Sequence, residues 1–263
     1  MASTVLAAAL LCVNSGAIPQ AAQSRRVRKP LSPAAAKATQ TGIAVPFTVG
    51  ERLAFRVLWS KYAVNAAAIE FTVVERRNFF GQTAWHIRAV AQTVSTMQMI
   101  YPLNDQFDSY IDAAHLASLQ YEMYLHEQGK QESNVYRMSS EGAPAPANAT
   151  AARVPPGTRD PIGLMYFLRA TDWRPGQEVR SPVFDGHRLY DVVARLEQAS
   201  GQVSVPVGQF EASKIDLQVL EHGQETSGTH FTLWLAHNEA RTPVLIEVEL
   251  PIGTARVELT ARQ

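Results

Sequence analysis

Cysteine is nearly missing: one residue, Cys12, in a chain of 263. A single thiol excludes an intrachain disulfide framework and a zinc site built on thiolates. Charge of one sign is missing too, with 24 Lys and Arg against 24 Asp and Glu. Such a balance lacks the clustered cations that neutralise phosphates, which argues against nucleic acid as the main partner and against a polybasic membrane-surface patch. Glycine-rich runs are absent, and with them the phosphate cradle of nucleotide-binding loops. There is no G-x-S-x-G elbow of a serine hydrolase and no His-x-His or HExxH spacing. His222, His230 and His237 lie seven or eight residues apart across turns, so a metal site would have to be assembled by tertiary folding.

What is present is apolar: hydrophobic residues make up 46% and charged residues 18% of the chain, enough for a packed core. The run Val5 to Val13 is too short to span a bilayer but has the length of a signal-peptide core. The small residues Ser15-Gly16-Ala17 and Ala21-Ala22 follow it, although no Lys or Arg precedes it. This predicts a signal peptide over 1–22, export to the periplasm and no integral membrane segment once the signal is removed. Leu11 directly before Cys12 does not fit lipid attachment. Residues 23–44 are basic and Pro/Ala-rich without hydrophobic period, which predicts a disordered linker.

Residues 45–263 read as a single all-β domain. Alternation is clearest between Phe231 and Leu259, where Phe231, Leu233 and Leu235, then Val244, Ile246, Val248 and Leu250, then Ala255, Val257 and Leu259 each share a face. The same period runs through Leu53, Phe55, Val57 and Trp59, through Ile69, Phe71 and Val73, and through Trp85, Ile87, Ala89 and Ala91. Residues 93–101 fit a short helix or a bent strand. Further strands are expected at 105–112, at 119–127 and 131–139 as a hairpin, at 178–184 and 188–196 across Asp185-Gly186, and at 203–207 and 212–220. Residues 143–156 read as a Pro/Ala-rich loop. One helix is clear: Asp160 is a cap, Pro161 suits the first turn, and Ile162, Met165 and Tyr166 follow at helical spacing up to about Thr171. The expected fold is a large curved antiparallel sheet forming an open β-barrel of about a dozen strands, with one short helix at 160–170.

Several stretches in order resemble a bacterial family, domain of unknown function 3108. They are Pro46-Phe47-Thr48-Val49-Gly50-Glu51-Arg52-Leu53 with Trp59, then Asp160-Pro161-Ile162-Gly163-Leu164-Met165-Tyr166-Phe167-Leu168-Arg169. The series continues through Val207-Gly208-Gln209-Phe210-Glu211-Ala212, Leu233-Trp234-Leu235, Arg241-Thr242-Pro243-Val244 and Ile252-Gly253. The resemblance implies an exported envelope protein with an open, strongly curved barrel similar to the half-barrels of the periplasmic lipoprotein carriers LolA and LolB. It implies no reaction and no catalytic residue.

The functional expectation is a periplasmic, non-enzymatic binding or scaffold protein without a cofactor, holding a lipid or other apolar ligand in the barrel. Trp59, Phe71, Met97, Met99, Tyr166 and Trp234 are the expected lining, since aromatic and Met side chains suit an adaptable apolar pocket; the same residues would equally fill a closed core. Arg241, in Arg241-Thr242-Pro243 between two strands, is expected either at the barrel mouth opposite a carboxylate or in solvent. Two other readings stay open. One is a module that docks another envelope protein through a sheet edge or the polar face of Glu122, Tyr124 and His126. The other is a polysaccharide hydrolase using paired carboxylates among Asp105, Asp108 and Glu122.

Overall fold

The computed structural model describes residues 43–59, 64–142, 145–226, 230–250 and 253–263, with 95 and 96 as backbone. The signal peptide, Cys12 and all but the end of the linker fall outside the described residues.

Fourteen strands form one sheet. They are β1 (Arg52–Trp59), β2 (Val64–Phe79), β3 (Gln82–Thr93), β4 (Asn104–Asp112), β5 (Ser118–Glu127), β6 (Lys130–Ser139), β7 (Thr150–Arg153), β8 (Glu178–Phe184), β9 (Leu189–Val205), β10 (Gly208–Glu221), β11 (Gln224–Glu225), β12 (His230–Ala236), β13 (Pro243–Leu250) and β14 (Gly253–Arg262). The order is β7-β6-β5-β4-β3-β2-β1-β14-β13-β12-β10-β9-β8, with the short β11 beside β10. All pairs are antiparallel except β6 with β7. The first and last strands therefore lie side by side in the middle of the sheet, Phe55 opposite Leu259 and Val57 opposite Val257. Period-2 burial follows: Leu53, Phe55 and Val57 point inward while Arg56, between them, reaches across the outer face to Glu258 at 2.8 Å.

The sheet path ends at β7 and β8, so the barrel is open. The gap is stitched by the chain that leads into the helix: Ser118 N–H donates to Thr158 O, Arg159 N–H to Pro182 O, and Phe184 N–H to Arg159 O. The rings of Tyr136 and Phe184 meet edge to face across the same gap.

Among the described residues two helices interrupt the strands. Helix α1 (Ser95–Gln98) is a single turn between β3 and β4. Helix α2 (Pro161–Ala170) lies inside the curve of the sheet, with Ile162, Tyr166, Leu168 and Arg169 all nearly inaccessible to solvent. It is apolar on every side because it is covered on every side. Its two ends are held by polar groups. Asp160 caps the first turn, accepting from Gly163 N–H at 2.9 Å and from the hydroxyls of Ser109 and Ser118 at 2.5 and 2.6 Å. Burial raises the Asp160 pKa, and those donors offset only part of the rise. At the other end Arg169 makes a two-pronged contact with Glu51, both nitrogens at 2.8 Å, and donates to Ala240 O. Gly163 lets the helix approach β4 and β5 closely: a Cβ there would lie 2.8 Å from Ser118 Oγ and 3.0 Å from Ile111 Cγ2.

Three local expectations are corrected. Residues 188–196 and 203–207 belong to one long strand, β9, because the polar stretch between them is absorbed by register shifts against β10 rather than by a break. The tip half of the β9–β10 hairpin bends over the outer face of the sheet, where β9 touches β13 and β14. Asp185-Gly186 is not a two-residue turn; β8 and β9 are joined by residues 185–188, and Asp185 Oδ1 accepts from the N–H groups of His187 and Arg188. The Pro/Ala-rich stretch contains β7, whose four mostly exposed residues carry no alternation that a pattern could reveal. Among the described residues no helix is long and apolar enough to cross a membrane.

The Arg169–Glu51 pair generates a prediction. Arg169→Met leaves a mostly buried carboxylate without its partner, so unfolding in urea should show a loss of about 3–5 kcal/mol. The double variant Arg169→Met/Glu51→Gln should lose less than the single one; a neutral Arg169→Met would show that the helix is not anchored here.

Candidate functional site

Helix α2 divides the interior. On one side Phe47, Trp85 and Tyr166 form a dense aromatic core, Phe47 meeting Tyr166 edge to face at 4.8 Å and Trp85 at 5.1 Å. On the other side α2 faces β8, β9, β10 and β12 across a second apolar cluster. The packing there is incomplete. A cleft of about 100 Å³ lies between Ile162, Met165 and Leu168 of the helix and Phe71, Val192, Leu217, Leu233 and Ile246 of the sheet. Every side chain that lines it is apolar. Such walls offer water no hydrogen-bond partner.

The expected lining residues are not brought together. Phe71 lines the cleft. Tyr166 is on the far side of the helix, fully buried, with the Arg169 guanidinium 4.9 Å from its ring. Trp59 is half-buried near the end of β1, and Met97 is half-buried in α1. Met99 is 88% exposed. Trp234 points to the outer face, its indole N–H donating to Glu247 at 3.4 Å, and is covered by the folded-over hairpin, where a Cβ at Gly201 would lie 3.0 Å from the ring. Arg241 does lie near a carboxylate, the exposed Asp172 just beyond α2, with Nη2 at 3.5 Å from Oδ1. It donates to Thr171 O at 2.5 Å and so closes the C-terminus of α2. The cleft residues outside the expected set carry only the ordinary periodicity of core positions, strand alternation for Leu217 and Val219 and helical spacing for Met165.

The carboxylates fall into separate networks. Asp108 is buried on the outer face and accepts from His86 at 2.5 Å, Arg88 at 2.8 Å and Gln106 at 2.6 Å. Burial alone would raise its pKa, but these donors outweigh that and hold it below the usual carboxylate range. Glu122, on the same face, is engaged by Gln120 and by the Tyr124 hydroxyl. Asp112 accepts from three N–H groups of the turn that follows it. Asp105 is on the inner face, so it and Asp108 do not flank a common substrate position. Arg159 is a buried guanidinium whose partners are neutral: Gly157 O, Ser181 Oγ and His115 O, with the Phe167 ring 3.5 Å away. Desolvation lowers its pKa to about 10.

Asp105 gives a pH-dependent prediction. Burial raises its pKa from 3.8 to about 6, against the bond from His126 N–H and with a further rise from Glu127. The folded state thus binds more protons than the unfolded chain across that window, and the Asp105 contribution to stability falls as pH rises through it. Asp105→Asn keeps an acceptor for His126. It should be more stable than the parent by about 2 kcal/mol near pH 8 and lose that advantage below about pH 4 in urea titrations at the two pH values.

Similar folds exist at low identity. A β-barrel-like protein of domain of unknown function DUF1849 from Brucella abortus is 10% identical, with 82% of this chain and 97% of that chain covered and a TM-score of 0.47. A provisionally named lipoprotein from Parabacteroides distasonis is 11% identical, with 83% and 98% covered and a TM-score of 0.38. A provisionally named exported protein with a YmcC-like fold from Bacteroides fragilis is 8% identical, with 84% and 99% covered and a TM-score of 0.38. No curated protein matches the chain. The family model described as "Protein of unknown function (DUF3108)" matches residues 54–260, and the chain therefore belongs to that family.

Proposed function

We propose that the protein is a non-enzymatic component of the cell envelope, exported to the periplasm, that holds the end of an acyl chain or a similar hydrocarbon in the cleft beside α2. The observation that carries this reading is the cleft itself. Its walls are wholly apolar, and it lies between α2 and the inner face of the sheet within the buried core. An uncompensated cavity costs stability, so a ligand that fills it would be bound in part by recovering lost contacts. Met165 in the wall supplies a flexible side chain that can move aside for a longer chain. The N-terminal apolar segment followed by small residues supports export.

A scaffold role is the second reading, favoured by the extent to which α2 fills the barrel. The two are separated by extracting protein purified without detergent and analysing the extract by mass spectrometry, together with titration of a fluorescent fatty acid. Carriage of a hydrocarbon predicts bound lipid and saturable binding. Leu217→Trp, which fills the cleft from its wall, should weaken that binding by about tenfold or more while the fold is retained. Lipid-free protein that does not bind the fatty acid would leave the scaffold reading standing.

A further inference from the structure

The connection between β3 and β4 displays apolar side chains to solvent in a way that the fold does not require. Met99 is 88% exposed and Ile100, its neighbour, 72%. Most other exposed large apolar residues are far less accessible; Phe80 is at 43% and Leu189 at 42%. From Val94 to Leu103 the sequence VSTMQMIYPL contains no charged residue. The display is held rather than loose. Met97 N–H donates to Val94 O, Tyr101 N–H to Met97 O, each at 2.7 Å, and Gln128 N–H donates to Pro102 O at 2.8 Å. Tyr101 is buried, and its hydroxyl bonds Glu127 on the neighbouring strand end. Leu103 N–H donates to Thr93 Oγ1 at 3.1 Å, which closes the base of the loop. A rigid base therefore presents two apolar side chains outward.

We infer that this loop is a lipid-contact element: Met99 and Ile100 insert into the surface of a bilayer. The shape and area favour lipid over protein. A stable protein interface buries about 800 Å² on each partner and needs a complementary surface, and two protruding side chains supply well under half of that. A bilayer needs no complementarity, since acyl chains flow around whatever enters, and affinity grows with the apolar area inserted. The uncharged loop and zero net charge indicate that attraction comes from insertion and not from anionic headgroups. The inference does not depend on a ligand in the cleft; surface contact and hydrocarbon binding can fail separately.

Flotation of the full chain with vesicles of phosphatidylethanolamine and phosphatidylglycerol, and with vesicles of phosphatidylcholine, tests it. Binding should be weak, similar for both compositions and insensitive to salt. Met99→Ser/Ile100→Ser should reduce the bound fraction by about tenfold, while Met99→Leu keeps it. Both proteins carry the same N-terminal segment, so their difference reads the loop. Ile100→Trp provides a direct signal, a blue shift of the added indole emission on mixing with vesicles. Unchanged flotation of the double serine variant, or no shift at position 100, would overturn the inference. So would a parent dimer that the double serine variant converts to monomer in sedimentation equilibrium, since the patch would then be an interface between copies.

Discussion

The structure depends on a charge pair that water barely reaches. Arg169 is fully buried in the last turn of α2, and Glu51 sits just ahead of the first strand. Removing both ions from water is costly, and the cost is offset only because the geometry is two-pronged and Ala240 O takes a further N–H. The pair ties three distant parts of the chain to one point: the head of β1, the end of α2 and the β12–β13 turn. Arg241 from that same turn bonds the final carbonyls of the helix, so the turn and the helix end hold each other. A helix with apolar groups on all sides has no amphipathic face to fix its rotation inside the sheet. Polar anchors at Asp160 and Arg169 fix it instead.

With α2 so placed, the interior has two unlike halves. Aromatic rings fill the half near Phe47, and aliphatic side chains line the other, where β9, β10 and β12 curve away from the helix and leave the cleft. The polar chemistry of the molecule is elsewhere. Asp108, His86, Arg88 and Gln106 form one hydrogen-bonded network on the outer face. The buried acids Asp105, Asp108, Asp112 and Asp160 and the buried His86 are thus each tied into local hydrogen bonding on different parts of the sheet.

Much of this was legible in the sequence. Alternation identified nearly every long strand, because one face of each is covered and the other is wet. Asp160-Pro161 identified the helix start, since capping is a local matter. Residues whose partners are remote gave no such sign. Arg169 and Glu51 are 118 positions apart, and nothing near either announces a pair. Trp234 was readable as facing opposite Leu233 and Leu235, but the hairpin that covers it comes from β9, whose continuity was hidden by polar residues at its bend. The expected lining set was chosen by side-chain type. Type does not encode face, so it gathered Met99 from the surface, Tyr166 from the core and Trp234 from the outer side into one list.

The pairing of β1 with β14 has a consequence for how the chain acquires its form. The centre of the sheet joins residues some two hundred positions apart, Phe55 with Leu259 and Val57 with Val257. Loop closure over such a distance is paid in chain entropy before any contact rewards it, which makes folding slow. A chain emerging from its N-terminal end can form the β2–β3–β4 meander but cannot bury the inner face of β1 on both sides until its last ten residues are available. In this topology the two halves of the sheet are joined in the middle by strands drawn from opposite ends of the described chain.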